Sequence, residues 1–271
     1  MDLISKHTQL RYLGYANTPV LWNDDNVLGL RQFKPLMQVA GSLGKNVPEN
    51  LPLGKLVERF VTADLEKLND IEILLENTQV QDGKLTIGEL DCILKQDSIP
   101  IHLEIIYKFY LYDGTVGSTE IDHWIGPNRN DTLVKKIDKL KNKQLPLLYH
   151  ICTKPILDRH QLVIERMHQS VCFKAQLFIP FDQQVNFKEL NKDCLKGYYI
   201  HYSEINKYSD CSFYIPIKVD WLQEVHSQVD WLTYPLFYDK VMRQVQEKRA
   251  SLCWIKFPDG NLQKIFIVWW S

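Results

Sequence analysis

Two acids and a lysine fall close together: Asp91 in GELD (88–91), Glu104 in HLE (102–104), and Lys108 four residues on. The intervening KQDSIP breaks two apolar runs, and a turn centred between Asp97 and Ser98 places Asp91 directly opposite Glu104 in an antiparallel pair. Directly opposed side chains have Cβ atoms about 5 Å apart, and like charges there are destabilising. A divalent cation held by both carboxylates would offset that repulsion, and hard oxygen donors suit Mg²⁺ or Mn²⁺. Alternate side chains share a face, so Glu104, Ile106 and Lys108 line the same side as Asp91. A lysine beside two metal-holding acids can stabilise charge on a phosphate or help orient water. Such an arrangement suits metal-assisted phosphodiester hydrolysis. The plainer alternative is a solvated acidic strand face, with Lys108 bridging diagonally to Glu89 as a weak exposed ion pair.

The elements that must position these residues can be read around them. In LPLGKLVERFVTADLEKL, Leu53, Leu56, Val57, Phe60, Val61 and Leu65 recur at helical spacing, with Glu58 at the border of the stripe. IEILLENTQVQ and LTIGELDCIL flank Asp82-Gly83, a strong hairpin signal. IHLEIIYKFYLY follows Pro100, which is tolerated at a strand start. Three antiparallel strands in succession are therefore expected. DTLVKKIDKLKNKQL (131–145) reads as a helix with Leu133, Val134, Ile137 and Leu140 inward and Lys135, Lys136, Lys139 and Lys143 outward or marginal. LPLLYHI (145–151) reads as a strand, DRHQLVIERMHQ as a helix, and VCFKAQLFIP and KGYYIHY as strands. A helix in LFYDKVMRQVQEKRA and a closing hairpin around PDGN complete the chain.

Helix bearing Glu58, meander bearing Asp91 and Glu104, then a helix and a strand: this series resembles the PD-(D/E)XK phosphodiesterase superfamily, over roughly residues 52–150. GELD is similar to the GEID segment of RecB-like and Holliday-junction-type members. The longer string QVQDGKLTIGELD…HLEIIYKFYL…WIGPN resembles, over most of the chain, an uncharacterised bacterial family, domain of unknown function 1853. The superfamily resemblance implies a restriction-endonuclease-like α/β (α+β) core: a central mixed sheet with a three-strand antiparallel meander, flanked by helices, plus a C-terminal α+β extension. It implies Glu58, Asp91 and Glu104 as metal ligands and these with Lys108 as catalytic residues. It also implies Gln144 as a phosphate- or water-positioning residue, and DNA rather than RNA as substrate. The superfamily places lysine two residues after Glu, where this chain has Ile106. Lys108 keeps the same face but lies roughly 6.6 Å further along a strand of ~3.3 Å rise per residue. Both a metal-dependent nuclease and a catalytically inactive nuclease-fold module, binding nucleic acid or a protein partner, are consistent with that displacement.

The expected nucleic-acid contacts are Arg129, Lys135, Lys136, Lys139 and Gln144, with the lysine helix alternatively a solvated face. The Gly- and Asn-containing stretch at 113–130 reads as a loop in which Trp124 or His123 stacks on a base or Trp124 anchors the loop in the core. The expected organisation is an N-terminal cap at 1–50, the nuclease-like core at 51–155, and an α+β part at 156–271 packed on the same domain.

Bulk properties narrow the field. The 271 residues are 45% hydrophobic and 24% charged, with a net charge of −1, so any basic surface must be local. Six dispersed cysteines form no CxxC pair, which argues for a reduced, cytoplasmic setting. No secretory leader and no apolar run long enough to span a bilayer can be read. Phosphate-binding glycine motifs are lacking, so no nucleotide cofactor is expected.

Overall fold

The structure, a computed structural model, describes residues 4–23, 27–35, 41–48 and 50–271. Of the expected N-terminal cap, residues 1–3, 24–26, 36–40 and 49 lie outside the described residues. The fold is α+β, with mixed β-sheet and flanking helices. The chain divides into two compact units. One comprises residues 1–5, 19–107 and 135–174; the other comprises 6–18, 108–134 and 175–271.

Helix α1 (Lys6–Ala16) belongs to the second unit and α2 (Leu53–Leu65) to the first. Helix α2 buries Leu56, Val57, Phe60 and Val61 along one stripe. Its opposite edge carries Lys55, Glu58 and Arg59. After it come β1 (Ile71–Asp82), β2 (Leu85–Gln96) and β3 (Ile99–Tyr112), an antiparallel meander in the expected order. The β1–β2 hairpin turns at Gly83, whose φ of 58° a side chain would disfavour. The β2–β3 turn places Asp97 and Ser98 at φ 47° and 72°, the left-handed pair of a two-residue hairpin. Its register, Cys92↔Leu103 through Gln96↔Ile99, matches the one read from the sequence.

Strand β4 (Trp124–Ile125) pairs with the end of β3, and α3 (Leu133–Lys139) follows. The expected helix over 131–145 is interrupted. After Lys139 the backbone widens into a π-helical turn, Leu140–Gln144, and then tightens into a 3₁₀ turn, Leu145–Tyr149. The strand expected at 145–151 is therefore absent. Pro146 favours a helical turn start, and Leu147 and Leu148 are both buried, which alternation would not allow. They pack with Val80, Leu90 and Ile93 of the meander. The helix expected over DRHQLVIERMHQ (158–169) does not form: helix α4 (Lys154–Arg159) ends as that stretch begins, a 3₁₀ turn follows at Ile164–Arg166, and β5 starts at His168. Gln161 adopts φ 54°, and Leu162 N–H and Gln161 N–H donate back to Leu157 and Asp158 in a Schellman close.

In the second unit β5 (His168–Pro180, from Ala175 onward), β6 (Leu195–His201), β7 (Ser212–Tyr214), β8 (Ser251–Lys256) and β9 (Leu262–Val268) form the order β5–β6–β9–β8–β7. The β5–β6 and β6–β9 pairs are parallel, and the rest are antiparallel. Helix α5 (Tyr234–Gln246) covers one face, its Phe237 ring stacked 3.9 Å from Phe213. Among the described residues no helix is long and apolar enough to cross a membrane.

Candidate functional site

The acids of the meander lie in the first unit. Asp91 is on β2 and Glu104 on β3, one step beyond the Cys92↔Leu103 pair, so the two face each other across the ladder. Glu104 is fully buried. Asp91 is half-buried, and its Oδ2 accepts the Ile105 backbone N–H at 2.9 Å. Burial, then the Glu104 carboxylate, then Glu58 push the Asp91 carboxyl up to about 8. The upward shift favours a proton on Asp91, which lowers the like-charge cost of facing Glu104.

Glu104 is held by side chains from two elements. His102, on the same face of β3, approaches Oε1 with Nε2 at 3.0 Å. Gln144, the last residue of the π turn, donates to Oε2. Behind His102 stands Gln169 of β5, whose Nε2 donates to the Leu145 carbonyl at 2.7 Å and meets His102 Nδ1 at 3.0 Å. A carbonyl can only accept, so the Gln169 amide nitrogen faces both partners. His102 Nδ1 must then accept, and its Nε2–H donates to Glu104. Gln144 is oriented likewise: its Oε1 accepts from Lys136 Nζ at 2.7 Å while its nitrogen serves Glu104. A continuous relay thus runs from Lys136 through Gln144 to Glu104. Short π segments recur at functional sites because they re-aim one side chain out of helical register; here that side chain is Gln144.

Helix α2 supplies the neighbouring charges. Lys55 Nζ bonds Glu58 Oε2 at 2.8 Å, Asn77 Oδ1 at 2.8 Å, and Glu89. Burial opposes its charge, but the bonds to Glu58 and Glu89 prevail and raise its pKa. Burial likewise raises the Glu58 carboxyl against the pull of Lys55. Asn77, flanked by the pairs Glu76↔Cys92 and Thr78↔Leu90, falls opposite Asp91 and sits at φ 47°. Asn tolerates this region better than most residues, and such backbone clusters at functional sites.

Several sequence expectations resolve differently. Lys108 does not bridge to Glu89; it bonds Asp131 Oδ2 at 2.6 Å, both in the second unit, while Lys55 takes Glu89. Arg129 also lies in the second unit, bonded to Asp113 at 2.6 Å with its guanidinium 4.8 Å from the Trp270 ring centre. Trp124 is fully buried among Tyr112 and Phe187, the anchoring role rather than base stacking. The His123 ring is engaged by the Val116 carbonyl at 2.7 Å. Lys135 and Lys139 are exposed, as are Lys141 and Lys143 beyond them, and Asp138 is the only acid between 135 and 143. Lys55, His102 and Gln169 were not anticipated. His102 had a usable signal, since two residues along a strand returns a side chain to the same face. Gln169 had none, because nothing in a sequence links it to a residue 67 positions earlier.

As arranged, the oxygens that a divalent ion would draw on already accept hydrogen bonds. Mg²⁺ needs a near-octahedral set of oxygens at close range. Both Glu104 oxygens take side-chain donors, and one Asp91 oxygen takes a backbone N–H. Among the described residues no group of three His, Cys, Asp or Glu is placed to hold a metal. What the arrangement offers is a hydrogen-bonded acid pair joined to a lysine-rich surface segment.

A family model described as Domain of unknown function (DUF1853) matches residues 35–268. Neither a curated protein nor a solved structure matches the chain.

Proposed function

The chain belongs to the DUF1853 family, and on that premise we propose that it is a catalytically silent, nuclease-like module that binds nucleic acid through the lysine segment at 135–143. The observation that carries this reading is the Lys136–Gln144–Glu104 relay. It spends the acid pair on fixing the basic segment instead of leaving its oxygens open to a cation. Lys139, Lys141 and Lys143 then present charge to a phosphate backbone, whose neutralisation releases counterions. The PD-(D/E)XK resemblance favours DNA over RNA.

Fluorescence anisotropy with labelled duplex DNA, single-stranded DNA and RNA over a salt series tests it. Binding should weaken steeply with salt, and the triple change K139E/K141E/K143E should abolish it without unfolding the protein. Binding that ignores the triple change would move the interface elsewhere. No binding to any of the three nucleic acids at low salt would sink this reading in favour of a protein partner.

Hydrolysis assisted by Mg²⁺ or Mn²⁺ is a second reading, supported by the electrostatic convergence of Glu104 and Glu58 on Asp91. It requires the donors on Glu104 to give way. Calorimetric titration of Mn²⁺ into wild type and Asp91→Ala separates the readings: heat present in the first and lost in the second would favour hydrolysis.

A further inference from the structure

The second unit carries a half-open cavity of about 450 Å³, a size typical of small-molecule sites. Leu195, Leu222, Val225 and Leu262 supply apolar wall, with Lys196 and Glu224 also lining it. Lys264, on central strand β9, lines it as well and is only 5% exposed. Its Nζ donates to Gln176 Oε1 at 2.7 Å and to the Trp221 carbonyl at 3.0 Å. Both acceptors are neutral.

An ammonium carries three donors, so one is left without an acceptor among the described residues, and no carboxylate touches it. Burying an unpaired charge is costly, and natural cores rarely keep one. Two glycines hold the surrounding backbone close. A Cβ on Gly14 would lie 2.0 Å from the Leu222 carbonyl oxygen, and one on Gly197 would lie 2.3 Å from that of Lys264.

We infer that this cavity is a binding site for a small organic carboxylate with an apolar body, whose carboxylate pairs with Lys264. A single buried cation matches a monoanion better than a phosphate dianion, and the leucine and valine walls match a short hydrocarbon body. Burial pulls the Lys264 amine down to about 7, so a carboxylate beside it would restore its proton. The site lies in a different unit from the acid pair and does not depend on the nucleic-acid reading.

Hexanoate and hexanol, equal in length and different in charge, are the probes. Calorimetry on the full chain should show saturable hexanoate binding at least ten-fold tighter than hexanol. Lys264→Met, which keeps the volume, should lose at least ten-fold in hexanoate affinity while still taking hexanol. Equal affinities for the two probes, hexanoate binding unchanged in Lys264→Met, or no saturable binding of either would overturn the inference. A measurement on wild type guards against misfolding of the variant. With saturating hexanoate the Lys264 ¹³Cε titration midpoint should move to higher pH, and an unmoved midpoint would also overturn the assignment.

Discussion

Asp91–Glu104 in the first unit and Lys264 in the second are both ionisable groups taken out of water, and the chain treats them in opposite ways. Around the acids it supplies complements of its own: the Ile105 N–H, His102 and Gln144, with Gln169 and Lys136 behind them. Around Lys264 it supplies only neutral acceptors and a cavity. The lesson is that burial alone does not mark a ligand site. What marks it is whether the protein has already completed the group's hydrogen bonds.

The largest expected effect breaks the first half of the contrast. His102→Ala strips Glu104 of one donor and leaves a buried carboxylate oxygen unsatisfied; the loss should be about 3 kcal/mol by denaturant titration. A loss under about 1 kcal/mol would mean that the network does not hold Glu104. Gln144→Leu removes the other donor, at the mouth of the π turn, and should cost about 1–3 kcal/mol.

Next comes pH, where the two regions should leave opposite signatures. Asp91 has a folded pKa near 8 against an ordinary value of 3.8. Between those limits the folded state holds a proton that the unfolded state lacks. Its contribution is therefore full below about pH 4 and is lost as pH rises towards 8. Lys264 has a folded pKa near 7 against 10.5, so the unfolded state holds the extra proton between them. The penalty for charging it is full below about 7 and is relieved as pH rises. Denaturation midpoints across pH 4–10 should show Asp91→Asn flattening the falling limb and Lys264→Met flattening the rising one. An Asp91→Asn variant whose midpoint is lowered as much at pH 8 as at pH 5 would contradict the acid half.

The smallest effect is at Lys108. Its bond to Asp131 joins two side chains that are each more than a third exposed, and Lys108→Gln should change stability by less than about 1 kcal/mol. A larger loss would restore Lys108 to a role that its partner does not suggest.

Legibility from sequence followed sequence distance. The meander and the facing of Asp91 and Glu104 were readable because a two-residue turn and the two-residue period of a strand fix register without outside help. Helix α2 was readable from its apolar stripe. The partners were not. Lys108 had two candidate roles and took a third, with Asp131, because ion pairs form wherever the fold brings ends together. Gln144 was named, yet its reach to Glu104 depends on a π turn that the apolar spacing of 131–145 conceals. Lys264 read as one more residue in a closing strand, since alternation alone cannot show that its side chain ends beside a cavity.

The measurement that tests the central claim most directly is duplex DNA affinity in EDTA compared with the same titration in Mg²⁺. If the acid pair is already satisfied by His102, Gln144 and the Ile105 N–H, the two affinities should agree within about two-fold at matched ionic strength, and the DNA should remain intact. Affinity that appears only with Mg²⁺, or DNA cut in its presence and spared by Asp91→Ala, would contradict the account.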